Sequence, residues 1–221
     1  MGSSGILTVG SFNQIPVTGT LEEWEKSTRG GLDSSVEKAT FFTAGGEPVT
    51  GFVGDEHSVH IDPRYLKLDG AVLTHNHPDN DFGGTLSMQD LKVFADSNLS
   101  EIRAYSEQGQ SYSLKAGKNA DRDGLKRWVK TNQKLMQQNF ANSYKSVYKQ
   151  ATTPLKSGPH KGQVKLVNRR TGKVTYRRPM SQAQATRYAR QYSVGAFDRM
   201  YKKNLAKFDF IYTATKAKNI Y

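Results

Sequence analysis

Charge divides this chain into two dissimilar stretches, and that division constrains its organisation more than any other single feature. The first 115 residues hold 8 Lys/Arg against 16 Asp/Glu, a net of −8, and residues 116–221 hold 24 against 4, a net of +20. Asymmetry of this size predicts two units with different partners. We read a loose Gly- and Ser-rich segment over residues 1–17, a first domain over 18–115 and a basic module over 116–221. Hydrophobic residues at 36% and charged residues at 24% suit a globular protein with open polar surface. No apolar run approaches the roughly 20 residues that cross a bilayer, so no membrane partner is expected. The first residues lack the basic start and apolar core of a secretory signal, which makes the cytoplasm the expected compartment. The chain has no cysteine. Disulfides and thiolate zinc fingers are thereby excluded, and any metal site must use His, Asp or Glu.

The first domain reads as short elements. Thr20 is a helix N-cap with Glu23 three residues on, a capping box, and Gly30-Gly31 ends that helix. Val36–Thr43 and Pro48–Val53 are β-rich runs joined by Ala44-Gly45-Gly46-Glu47, a hairpin. His57–Ile61 extends the same sheet. Gly70-Ala71-Val72-Leu73-Thr74 is an apolar strand that delivers the chain to His75. Ser87 caps a helix from Met88 to about Ser97, and Glu101–Ser106 and Gln110–Leu114 are two further strands. This order predicts an α/β (α+β) fold, a mixed sheet with flanking helices, ending near residue 115. In the basic module, apolar residues from Leu125 to Val147 recur at helical spacing. Gln163–Val167 and Lys173–Arg177 flank a turn as a second hairpin, Pro179 and Ser181 open another helix, and Phe208–Thr213 is a last strand.

The stretch that carries chemistry is Thr74-His75-Asn76-His77-Pro78, followed by Ser87-Met88-Gln89-Asp90. Histidines at i and i+2 of a strand project to one side, so both imidazoles can reach one ion. Asp90, in the first turn of the next helix, adds an oxygen ligand. Three ligands leave a fourth position for water, the open arrangement of a catalytic zinc, Zn2+. Zinc lowers the pKa of such a water to about 7, and a neighbouring carboxylate must then carry its proton to the leaving group. Asp79 and Asp81 are further oxygen donors in a polar loop, while His57, His60 and His160 have no partner pattern. The contiguous His75-Asn76-His77 is not the HNH nuclease motif, whose residues are spread over a hairpin and a helix.

These residues resemble the JAMM (MPN or JAB-type) zinc metallopeptidases over roughly residues 18–115. That family has a glutamate on an early strand, then His-x-His-Pro, then Ser-x-x-Asp at the start of the following helix. His75, His77 and Asp90 match the metal ligands, Pro78 the proline and Ser87 the serine. Glu37 is the best match for the glutamate, with Glu47 and Glu56 as rivals that sit in turns. The resemblance implies that Glu37 is the general base and acid, that Ser87 helps hold an oxyanion, and that the substrate is a protein or peptide cleaved at an amide or isopeptide bond. Twelve residues separate His77 from Asp90 where the family usually has ten, a loop expansion that is cheap in closure entropy. The His-Asn-His-Pro variant is similar to domains of bacterial and phage-related proteins, including head and tail components, which implies a phage, prophage or virion-associated setting in a bacterial or infected-host cell.

In the basic module, Arg169, Arg170, Lys173, Arg177 and Arg178 lead a dense positive field that continues to Lys207. Tyr176, Tyr188, Tyr192 and Tyr201 are interleaved with it. Cations with aromatics between them suit nucleic acid, and a basic hairpin suits an acidic protein surface equally well. Docking of the basic module on the acidic first domain is a third reading. The function expected is a zinc-dependent peptidase with a basic targeting module. The alternative is a structural nucleic-acid-binding or virion-assembly protein whose metal only stabilises the fold.

Overall fold

The structure is a computed structural model that describes residues 5–7, 13–31, 35–56, 58–78, 85–106, 110–168 and 171–215. Its elements in chain order are β1 (Gly5–Leu7), β2 (Gln14–Ile15), α1 (Leu21–Gly31), β3 (Lys38–Phe42), β4 (Pro48–Val53), β5 (Ser58–His60), β6 (Val72–His77), α2 (Met88–Ala95), β7 (Glu101–Ser106), β8 (Ser111–Ala116), α3 (Arg122–Thr152), β9 (Val164–Val167), β10 (Val174–Arg177), α4 (Gln182–Leu205) and β11 (Phe210–Thr215), with 3-10 turns at Tyr65–Lys67 and Ala206–Phe208. The fold is α+β. Seven strands form one mixed sheet in the order β11-β8-β7-β6-β3-β4-β2, in which β6 and β7 are the parallel pair.

Local chemistry explains the elements that position the site. The Thr20 hydroxyl accepts from the Glu23 N–H, and the Glu23 carboxylate accepts from the Thr20 N–H, so the box at the head of α1 is closed. In the β3–β4 hairpin, Gly46 takes φ +87°, a conformation open to glycine, and its N–H donates to the Thr43 carbonyl. Period two along β6 sends Val72 and Thr74 to the α1 side. Val72 packs with Leu21 and Phe42, and the Thr74 hydroxyl donates to Glu25 of α1.

The chain divides into two compact units, residues 1–133 with 198–221, and residues 134–197. This corrects the expected boundary near residue 115. β11 pairs with β8 over six residues, from Phe210 opposite Ala116 to Thr215 opposite Ser111, and buries Phe210 and Tyr212. The start of α3 also belongs to the first unit, where Arg122 donates to the carbonyls of Phe94 and Leu99. The exposed cations of residues 198–207 hid this return, because Arg199, Lys202 and Lys203 lie on the outer side of a helix whose Tyr201 and Leu205 are buried.

Two smaller expectations are also corrected. Residues Ser58–His60 do not extend the main sheet but pair in parallel with β1, because β2 occupies the edge of β4. The segment 1–17 is correspondingly not loose throughout, since β1 and β2 supply backbone partners to these edges. The second unit holds β9 and β10 paired antiparallel, with a small core of Ala151, Val164, Leu166 and Ala185. Phe140 and Phe197 meet edge to face at 5.2 Å in the same unit.

Candidate metal centre

The sheet register brings the site together. His75 and His77 share one face of β6, opposite the face that meets α1. On one side β3 places Ala39 beside His75, and Glu37, the residue just ahead of β3 and not inside the strand as the sequence predicts, has a carboxylate oxygen within 4.8 Å of donor nitrogens of both histidines. On the other side β7 places Ala104 beside His75 and Ser106 beside His77. His75 is thus flanked by two buried alanines, which leave its imidazole room to stand upright on the sheet.

α2 delivers the remaining donor. Ser87 is its N-cap, and its hydroxyl oxygen accepts from the Asp90 N–H at 3.0 Å. Asp90 returns the bond, because its Oδ2 accepts from the Ser87 N–H at 2.6 Å. This capping box locks the Asp90 carboxylate over the helix start, where the backbone dipole favours negative charge. Asp90 Oδ1 lies 3.4 Å from His75 Nε2, and Oδ2 lies 3.5 Å from His77 Nε2. The two Nε2 atoms are 2.9 Å apart.

Donors about 2.0–2.1 Å from a tetrahedral zinc stand roughly 3.3 Å from one another. The 3.4 and 3.5 Å contacts are near that spacing but reach different oxygens of Asp90, and the Nε2 pair is closer, at hydrogen-bond distance. Asp90 Oδ1 is fully buried and accepts no hydrogen bond among the described residues, a vacancy in bonding that a cation would fill. Donor atoms of Glu37, His75 and His77 all lie within 4.8 Å of one another. Glu37, His75 and Asp90 are 0% exposed and His77 is 4% exposed. Burial holds His75 below the usual imidazole range, with Asp90 pulling the other way, which favours the neutral form that a metal requires. Burial opposes ionisation of Asp90, but His75 and His77 outweigh it and keep the carboxyl far below the usual carboxylate range.

Glu37 and Asp90 each lie against the histidine pair: the three residues whose donor atoms are mutually within 4.8 Å are Glu37, His75 and His77, while Asp90 contacts each histidine and Ser87 is half-buried at the helix cap that holds it. Glu47 and Glu56 are exposed and outside the cluster. Asp79, Asp81 and His57 lie outside the described residues, as do Arg169 and Arg170. His160 stacks on Tyr176, far along the chain in the second unit.

Three supporting residues had no signal in the sequence. Asn76, between the two histidines, accepts from the Lys38 N–H at 2.7 Å and donates to the Val36 carbonyl at 2.9 Å, gripping the backbone on both sides of Glu37. Tyr201, expected to be an aromatic for base stacking, is instead 1% exposed and donates to the Leu86 carbonyl at 3.0 Å, next to Ser87. Tyr212 donates to Asp198 at 2.7 Å and contacts the Thr85 hydroxyl at 2.8 Å. A pairing between residues more than a hundred positions apart leaves no local spacing to read.

No helix of the described residues is long and apolar enough to cross a membrane. Compared with protein-family models, curated proteins and solved structures, the chain matches none.

Proposed function

We propose that the first unit is a zinc-dependent hydrolase of JAMM type that cleaves amide or isopeptide bonds of a protein or peptide. The observation that supports it is a buried histidine pair with Glu37 within 4.8 Å of its donor nitrogens and the Asp90 carboxylate 3.4 and 3.5 Å from its two Nε2 atoms. His75, His77 and Asp90 would hold the ion. When bound, zinc supplies a Lewis acid that makes water acidic enough to act near neutral pH.

The chain's own residues do the rest. Glu37 takes a proton from the water that adds to the scissile carbonyl and returns it to the departing nitrogen as the C–N bond breaks. Such a shuttle contributes about 10²–10⁴-fold to the rate. The Ser87 hydroxyl already accepts the Asp90 N–H, so its own proton is left to donate to the oxyanion that develops at the carbonyl.

Near-complete burial of all four donors favours a second reading, in which Glu37 is a fourth ligand and the metal only braces the fold. One variant separates the two. The full chain should bind about one zinc, and His75→Ala with His77→Ala should abolish binding, as read by elemental analysis and zinc titration. Glu37→Gln should keep wild-type zinc affinity while losing cleavage of peptide and isopeptide substrates followed by mass spectrometry. Zinc affinity that collapses in Glu37→Gln would favour the bracing role. Undiminished zinc binding by the double histidine variant would refute both.

A further inference from the structure

We propose that the unit of residues 134–197 binds single-stranded nucleic acid through the outer face of the β9–β10 hairpin, an inference independent of the metal centre. The division of the chain sharpens the charge asymmetry. The first unit has 19 Lys/Arg against 20 Asp/Glu, whereas residues 134–197 have 13 Lys/Arg and not one carboxylate side chain. The whole positive excess of the protein therefore sits in 64 consecutive residues that contain nothing to neutralise it. The first unit has almost no net charge of its own. Lys134, Lys145, Lys149, Lys165, Arg177 and Arg178 are all exposed. A body of one sign repels itself, and a bound polyanion relieves that repulsion.

The hairpin supplies a face with the chemistry to match. Val164 and Leu166 of β9 turn into the core, so Lys165 turns outward. Its cross-strand partner is Tyr176. The His160 ring stacks on Tyr176 with centroids 3.6 Å apart and planes 10° from parallel, while Tyr176 remains 37% exposed. All four residues of β10 are exposed, and Arg178 follows them directly. A rigid aromatic pair flanked by Lys165 across the ladder and by Arg178 two residues along the chain is a platform for an unpaired base between phosphates, whereas Arg177, opposite Val164, belongs to the other face. An acidic protein surface carries mixed charge and gives no reason for a complete lack of carboxylates or for the exposed stacked rings.

The test uses the full chain and fluorescence anisotropy of a labelled mixed-sequence DNA strand of about 20 nucleotides, its duplex, and polyglutamate as competitor. Binding should weaken steeply between about 50 and 200 mM salt. Combined Lys165→Ala and Arg178→Ala should lower the log–log salt slope by roughly 2. Tyr176→Ala should weaken single-strand binding roughly 5- to 100-fold with the slope unchanged, and Tyr176→Phe should restore it. Circular dichroism and melting establish that each variant is folded. Four results would overturn the proposal: no binding by the folded chain at low salt, duplex preferred over single strand, polyglutamate competing as well as DNA at equal charge, or a Lys165→Ala, Arg178→Ala variant with the wild-type slope.

Discussion

Asn76→Ala probes the backbone grip on Glu37. The β3–β6 ladder runs from Phe42 opposite Val72 to Ala39 opposite His75 and then stops. Beyond it the Asn76 side chain substitutes for the ladder, bonding the Lys38 N–H at 2.7 Å and the Val36 carbonyl at 2.9 Å. Each such bond contributes about 0.5–1.5 kcal/mol net, so losing both from a half-buried site costs about 2 kcal/mol. For a domain of this size that lowers Tm by about 4–8 °C. Urea and thermal melts of the metal-free chain give the number. Asn76→Asp sharpens the test, because it keeps an acceptor for Lys38 but turns a second acceptor on the Val36 carbonyl, and it should be at least as damaging as alanine. Zinc stoichiometry should survive in both variants, since His75, His77 and Asp90 keep their own strand and helix. Stability of Asn76→Ala within about 0.5 kcal/mol of wild type would refute the grip.

Further outcomes follow from the same geometry. Gly54→Ala should destabilise by about 2–3 kcal/mol in melts, because its Cβ would stand 1.8 Å from the Ser58 carbonyl oxygen, a backbone atom that cannot step aside. Tyr201→Phe should cost about 1–2 kcal/mol without opening a cavity, since it strands the buried Leu86 carbonyl. Stability should also fall at alkaline pH. Burial, with the charge of Asp198, raises Tyr112 and Tyr212 above the ordinary tyrosine range, and burial with Asp90 and Asp198 raises Tyr201. A raised folded-state pKa contributes stability that is fully present below the unfolded value of about 10 and is lost as pH climbs from there toward the folded value. Melts from neutral to strongly alkaline pH should show that limb, and it should flatten in Tyr212→Phe.

What the sequence made legible is set by the distance over which each constraint acts. His75 and His77 were readable because a strand repeats every two residues, and Ser87 with Asp90 because a capping box spans three. Both rules are local, and the same capping bonds that start α2 also aim Asp90 at the histidines. Glu37 was half-legible: the β-rich run from Val36 was plain, but the strand starts one residue after Glu37, and its approach to the histidines depends on the pairing of β3 with β6, which no short window contains. Tyr201 was misread because an aromatic among lysines and arginines looks alike whether its ring faces solvent or core. Its hydroxyl partner lies 115 residues earlier, at Leu86. The charge boundary misled for a related reason. Net charge is carried by exposed side chains, whereas membership of a unit is decided by buried ones, and in 198–215 the two disagree: Lys202 and Lys203 are exposed while Tyr201, Leu205, Phe210 and Tyr212 are buried. Assigning units by the buried set leaves the first unit near neutrality and the second without a carboxylate. That sharper partition moves the polyanion expectation from 106 residues to a single hairpin-bearing unit, where Tyr176, not Tyr201, is the aromatic in a position to stack.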